Sequence, residues 1–284
     1  MMCTRRALLA YGATAIVARA QSRNMFADAQ AYERFMGRWS RLLAPKFLAF
    51  AGIGDATSVL DVGCGTGALS LEVAARNRKA LVMGVDLSKE YVAYANQQDH
   101  DQRARFEAGD AQHLLYPDGS FDAALSMLVL NFIPQPQQAV TEMRRVTKPK
   151  GRVAAAVWDY GDGMQMLRTF WNAAVSLDPG VEKVDEKHMP LCRSGELRDL
   201  FTRAGLDHVN EKAVEIELRF QSFDDYWEPF MLGQGPAGAY MKTLNAEKAG
   251  ALRDRVRRRI ETEFGGPSFR LGARAWAVRG DRPA

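Results

Sequence analysis

Three carboxylates and three glycines, each at the end of a short apolar run, carry the chemistry this sequence can do. Asp61, Gly63, Gly65 and Gly67 stand in VLDVGCGTG (59–67). Glycines in such a loop let the backbone turn tightly and approach a ligand, and the N–H groups opening a following helix favour a polar or anionic group. The pattern Gly63-x-Gly65-x-x-Ala68 also fits the looser dinucleotide fingerprint, so the glycines alone decide little. Asp61 decides more. It stands two residues before the first glycine, at a strand's mouth, where a carboxylate would repel a pyrophosphate and hold an ammonium. Asp86, in GVDLS (84–88), closes the next apolar run 19 residues after Gly67, where a carboxylate accepts both hydroxyls of a ribose. Asp110, in Gly109-Asp110-Ala111, closes a third run and is placed to accept an adenine amino group, with Ala111 and Gln112 beside the ring. S-adenosylmethionine carries such an ammonium, a ribose and an adenine. NAD shares the last two but brings a pyrophosphate to Asp61.

These positions need strands that end side by side. Apolar runs at 58–62, 81–85, 104–108, 121–128 and 152–158 read as strands, with helical patterns at 67–78, 88–98 and 135–147 between them. Such alternation predicts a parallel sheet covered on both faces, with its ligand at the carboxyl ends of the strands. Ahead of it, residues 25–53 read as helix that Pro45 breaks or restarts, and Pro149-Lys150-Gly151 reads as the turn into the fifth strand. Beyond residue 160 the rhythm changes. A helix is expected at 164–177, and another at 194–206, with Ser194 as N-cap and Gly205 as stop. A strand follows at 214–220, mainly helix over 222–264, and a last strand at 269–280. This describes one α/β domain over 25–284, with a cofactor-binding core at 58–158 and substrate-side insertions at 160–192 and 222–268.

Residues 58–158 resemble the core of the class I S-adenosylmethionine-dependent methyltransferases, in the branch (methyltransferase type 11) that includes ubiquinone/menaquinone-type C-methyltransferases. VLDVGCGTG, GVDLS, GDAQHLLYPDGSFD, LSMLVLNFIP and KPKGRV carry the resemblance, in that order. It implies a Rossmann-like sheet of seven strands, the last antiparallel, with helices on both faces and helical insertions. It also implies S-adenosyl-L-methionine as cofactor and methyl transfer to a small-molecule acceptor, releasing S-adenosylhomocysteine. Carried over position by position, the loop 61–67, Cys64 included, holds the methionine moiety. Asp86 holds the ribose with Leu87 beside it, Asp110, Ala111 and Gln112 flank the adenine, and Ser126–Leu128, with Met127 at its centre, lies near the sulfonium. The segment AYERFMGRWS (31–40) resembles the helix that closes over the cofactor in such enzymes, with Tyr32, Arg38 and Trp39 as its contacts. An activated methyl donor asks mainly for alignment and exclusion of water, so no triad is expected. Asp159, Tyr160, Tyr32 and His188 are the only bases nominated. Trp158-Asp159-Tyr160 stands where the fifth strand ends, facing the acceptor or starting a loop, and His188 reads first as a surface histidine.

Composition narrows the alternatives. Hydrophobic residues are 47% and charged residues 25% of the 284, the balance of a globular chain. The net charge of +4 has a local source: residues 1–24 hold Arg5, Arg6, Arg19 and Arg23 and no acid. Without those four the 38 basic groups become 34, equal to the acids. A neutral body argues against a nucleic-acid partner, since phosphate contacts need clustered positive charge. In RDRVRRR (253–259) the arginines are the solvated side of a helix whose apolar face is Leu252, Val256 and Ile260. Residues 1–24 resemble a twin-arginine export leader, or precede a true start at Met25. The methyl donor is made in the cytoplasm, so action there is the reading and export the alternative. No run is long enough to span a membrane. Cys64 and Cys192 need no disulfide framework, and His100, His113, His188 and His208 show no metal-ligand spacing. Within the loop Cys64 reads as a small residue tolerated between glycines, and FDDYWEPFMLGQGPAGAY (223–240) as a lid over the acceptor. An NAD-dependent oxidoreductase and a cofactor-binding protein without catalysis are the rival functions.

Overall fold

The structure, a computed structural model, describes residues 28–284; the leader assigned to residues 1–24 lies outside them. Strands β1 (Ser58–Val62), β2 (Leu81–Asp86), β3 (Ala104–Ala108), β4 (Phe121–Met127), β5 (Thr147–Trp158), β6 (Asp207–Phe220) and β7 (Phe269–Asp281) form one sheet in the order β3-β2-β1-β4-β5-β7-β6. The first five pair in parallel. Strand β7 runs antiparallel to both β5 and β6, as the sequence implies. The inner strands are almost continuously apolar because helices cover both of their faces; β1 buries Val59, Leu60, Asp61 and Val62 in succession. The outer strand β6 instead alternates, burying Val214, Ile216 and Phe220.

The chain enters through three helical segments without a break: α1 (Ala29–Tyr32), a π-type turn (Glu33–Gly37) and α2 (Arg38–Ala51). Pro45 does not break α2. Trp39, Leu43, Ala44, Phe47, Leu48 and Ala51 fix its buried stripe, while Pro45 and Arg41 face outward, where the carbonyl that Pro45 cannot satisfy meets water. Helices α3 (Ala68–Arg76), α4 (Lys89–Gln98) and α5 (Pro136–Val146) are the crossovers of the parallel half.

Two local expectations change. Pro149-Lys150-Gly151 is a bulge inside β5, which already pairs at Thr147↔Phe121 and resumes at Arg152↔Ala123, with Lys150 in the left-handed region. Helix α7 (Glu196–Arg203) starts at Gly195, and Ser194 does not cap it. The carboxylate of Glu211, from β6, accepts the N–H groups of Gly195 (2.6 Å) and Arg198 (3.0 Å) in its place, an acid at the positive end of a helix. Gly205 follows the helix with φ 75°, as a stop should.

The later helices, α6 (Gln165–Leu177), α8 (Phe223–Met231), α9 (Gly235–Met241) and α10 (Ala246–Phe264), share an aromatic core. Phe170 stacks on Phe230 at 4.5 Å and meets Trp171 edge-on at 5.2 Å, and Tyr226 donates its hydroxyl to the Met166 carbonyl. Leu252, Val256 and Ile260 are the buried face of α10, and Arg253 and Arg257 lie over the Phe223 ring and pair with Asp224. Among the described residues no helix is long and apolar enough to cross a membrane.

Asp159, just past β5, ties the turn that leads into α6 to the neighbouring strand β7. One of its oxygens takes both Arg274 donors (2.8 and 2.6 Å), the other the Asp162 N–H (3.0 Å), and its own N–H reaches the Arg274 carbonyl. The pair is only partly buried, so Asp159→Ala is expected to cost about 2–3 kcal/mol, less than a fully buried bridge. Urea unfolding of the full chain measures this. An unchanged midpoint would show that the pair contributes nothing.

Candidate functional site

The carboxyl ends of the parallel strands open onto one cavity of about 610 Å³. At its centre the loop after β1 folds back over β2: the N–H groups of Gly63 and Cys64 both reach the Val85 carbonyl, at 2.7 and 3.1 Å. Gly63, Gly65 and Gly67 all have positive φ (73°, 53° and 93°), which only glycine adopts without strain. A side chain on Gly63 would collide with Val129, whereas Gly65 has open space above it, so the loop presents bare backbone to the cavity. Asp86 holds the loop in place, accepting the Gly65 N–H on one oxygen (2.9 Å) and the Ser88 N–H on the other (2.8 Å). Burial raises its carboxyl above the usual range, and those backbone donors pull it back. Asp110 takes both the backbone and side-chain N–H of Gln112, at 2.9 and 3.0 Å, and the Gln112 carbonyl oxygen accepts from the Gln135 N–H.

Of the expected cofactor residues, Gly63, Gly65, Asp86, Leu87, Asp110, Ala111, Gln112 and Met127 line this cavity. Asp61, Cys64 and Gly67 do not. Gly67 caps α3 in a left-handed conformation and packs against Phe106 and Ala95. The Cys64 thiol is buried behind the loop, and burial raises its pKa well above normal, so it is neither wall nor nucleophile. Asp61 lies beneath the loop, 1% exposed. Its Oδ2 accepts the Ser70 hydroxyl at 2.7 Å, while Oδ1 is buried with no partner among the described residues. Burial pushes its carboxyl up to about 7, against the Ser70 hydrogen bond.

The entry helix closes the cavity from above. Tyr32, Phe35 and Met36 line it, and the Glu33 carboxylate accepts the Thr66 hydroxyl at 2.5 Å while pairing with Arg41. Gly37 makes room for this bend, since a side chain there would meet the Glu33 carboxyl at 2.6 Å. Arg38 and Trp39 are not contacts of the cavity. Arg38 points away to Asp225 (2.7 Å), and the fully buried Trp39 indole donates to Met166 sulfur (3.2 Å).

Beyond β4 the walls change character. Leu128, left-handed at φ 69°, turns the chain from β4 toward Phe132 and Ile133, and Trp158, Tyr160 and Leu167 complete the far end. Tyr160 is therefore a wall residue, while Asp159 is committed to Arg274 and His188 is exposed outside the cavity. Gln234 accepts the Tyr91 hydroxyl at 3.4 Å, so the segment 223–240 reaches over the opening from α8 and α9. The residue that sequence reasoning missed is Glu186, two positions before His188. It is 4% exposed, lines the cavity and accepts the Trp171 indole N–H at 2.6 Å. Burial pushes its carboxyl up to about 7. Only the placement of Val181 and Trp171 in the core distinguishes it from the other charges in VEKVDEKH.

Comparison with known proteins agrees with this arrangement. The family described as "Methyltransferase domain" matches residues 60–155. The chain is 36% identical to 2-methyl-6-phytyl-1,4-hydroquinone methyltransferase of Synechocystis over 42% of its own length and 37% of the relative's, so it spans well under half of that protein. It is 33% identical to malonyl-[acyl-carrier protein] O-methyltransferase of Geobacter sulfurreducens over 73% of this chain and 79% of the relative. Phosphoethanolamine N-methyltransferase 2 of Haemonchus contortus, solved with S-adenosyl-L-methionine, superposes with a TM-score of 0.53 at 15% identity, covering 89% of this chain and 59% of that one; that likeness is one of fold.

The buried Asp61 carboxyl makes stability depend on pH. A folded pKa near 7, against 3.8, means the fold prefers the protonated acid. Its contribution is fully present below about pH 4 and is lost as pH rises through about 7, worth up to about 4 kcal/mol. Asp61→Asn retains the Ser70 acceptor and removes the titration. Urea midpoints at pH 5 and pH 8 should therefore fall further in the wild type than in the variant; equal falls would place the titration elsewhere.

Proposed function

This chain belongs to the class I S-adenosylmethionine-dependent methyltransferases, and from that premise we propose that it moves a methyl group from S-adenosyl-L-methionine to a small-molecule acceptor, releasing S-adenosylhomocysteine. The observation that carries this reading is the pair of acids, Asp86 and Asp110, at the ends of adjacent strands in one cavity, with the bare backbone of the glycine loop beside them. Asp61 stays beneath that loop, a buried acid behind the methionine end of the site. The residues present fit the cofactor at its other end too. Asp86 lines the cavity and retains acceptor capacity beside its two backbone bonds, as a ribose diol requires. Asp110, Ala111 and Gln112 form the adenine wall, and the bare backbone at Gly63 and Gly65 takes the methionine moiety.

The bound cofactor supplies an activated methyl on a sulfonium. What the chain contributes is alignment and dryness. Met127, Leu128 and Val129 form the floor between the cofactor half, over β1, β2 and β3, and the acceptor half, over β4 and β5. Tyr32, Phe35 and Met36 exclude water from above, held down by the Glu33–Thr66 contact. Gln234, Gly235 and Pro236 close over the cavity, which supports the lid reading of 223–240. The acceptor half is walled mainly by aromatic and aliphatic side chains, so its ligand is a mostly apolar small molecule. The reading keeps one methyltransferase domain over 25–284, acting where its donor is made.

Calorimetric titration of the full chain tests the reading. S-adenosylhomocysteine is expected to bind saturably and NAD not at all. Asp86→Ala should weaken binding about tenfold or more, the loss of hydrogen bonds to a charged acceptor. Binding of NAD in place of S-adenosylhomocysteine would overturn the proposal.

A further inference from the structure

Glu186 is a buried carboxyl that the cofactor half of the cavity does not need. It sits in a short 3-10 turn (Glu186–His188), away from the loop at 63–67, with Trp158, Tyr160 and Leu167 in the same wall. Its Oε2 accepts the Trp171 indole N–H at 2.6 Å; its Oε1 has no hydrogen-bond partner among the described residues. The charge of Arg168 pulls its carboxyl down but makes no hydrogen bond to it, and burial outweighs that pull. Arg168 holds both oxygens of Asp185, one of them at 3.0 Å, while its Nε has no hydrogen-bond partner among the described residues. Asp185 also accepts the Lys187 N–H at 2.9 Å. The Glu186 Oε1 is open to the cavity, where a ligand's donor can complete it.

We propose that Glu186 recognises the acceptor: its Oε1 accepts the hydrogen bond, and at transfer the proton, of a phenolic or enolic hydroxyl carried on an aromatic or otherwise apolar molecule. This rests on the methyltransferase reading above. The acceptor O–H bond breaks with its proton passing to Oε1, and the freed oxygen pair forms the bond to the methyl carbon. The carbon–sulfur bond breaks with its electrons on sulfur, giving S-adenosylhomocysteine, and the carboxylic acid returns its proton to water. A carboxyl that burial has raised to about 7 is matched to such a transfer near neutrality.

The test uses the full chain saturated with S-adenosylhomocysteine and two probes, 1-naphthol and 1-methoxynaphthalene, with binding read by equilibrium dialysis. The wild type is expected to bind 1-naphthol about tenfold or more tightly than its methyl ether, because only the naphthol donates. Glu186→Gln is expected to erase that preference. Its amide oxygen satisfies Trp171, and the NH₂ left facing the cavity cannot accept a proton. S-adenosylhomocysteine affinity should stay within about threefold of wild type, since Glu186 lies outside the cofactor half. Equal binding of the two probes by wild type, or a preference that survives in Glu186→Gln, overturns the proposal. Should that variant not fold, Trp171→Phe carries the same test. Freeing Oε2 as a second acceptor should at least maintain the naphthol preference, and its disappearance overturns the assignment. Failure of wild type to bind S-adenosylhomocysteine at all strikes instead at the cofactor reading, and with it at this one.

Discussion

The carboxylate of Asp86 holds the functional end of this molecule together. It is the last residue of β2, and its two oxygens receive N–H groups from the loop after β1 and from the turn into α4. Through it, two crossovers of the sheet have a common anchor at the cavity wall. The Gly63 and Cys64 bonds to Val85 then fold the loop over the same strand. Glycine at 63 lets Val129 close in from β4, which sets the floor on which the two halves of the cavity meet. A single carboxylate, half satisfied by the protein and half available, thus couples the fold to its ligand. That is why it cannot be judged from either side alone.

Around that anchor the cavity is electrostatically unusual. Asp61, Asp86 and Glu186 are all buried carboxyls, all raised by loss of water, yet their surroundings differ. Asp86 is compensated by backbone donors, Asp61 by one hydroxyl, and Glu186 by one indole. Hydrogen bonds to the charged form and burial act in opposite directions, and the balance decides which acid is an anion at neutral pH. Of the two acids near 7, Glu186 faces the cavity and Asp61 lies behind its wall, so only the first meets a ligand directly.

The cofactor half was legible in the sequence because its determinants are local. A strand, a glycine turn and a helix carry their cavity-facing groups within a few residues, so VLDVGCGTG and GVDLS specify the local structure and much of the cavity wall. Even there, depth was not legible: Asp61, Cys64 and Gly67 stand in the motif but behind the wall, since spacing along a loop does not say which atoms the loop covers. The far half depends on partners distant in sequence. Asp159 looked like a base until Arg274 claimed it, and Arg38 like a cofactor contact until Asp225 did. Ser194 looked like a cap until Glu211, sixteen residues after Gly195, took that place. Glu186 hid among ordinary surface charges because only the packing of Trp171 and Tyr160 turns that short turn inward.

The π-type turn at Glu33–Gly37 gives the entry helix a phase. A π turn holds one residue more than the α-helical turn it replaces, so everything upstream is rotated by about 100° relative to everything downstream. Tyr32 owes its place over the cavity to that offset, while Trp39 and Leu43 keep theirs in the core. Deleting one residue here would restore a regular helix, locally the better structure, and swing the upstream face away from the cavity. The length of this segment is therefore held more tightly than its composition. Side chains here can change where Gly37 and the Glu33–Thr66 contact are kept, but a residue can be neither added nor removed without unshuttering the site.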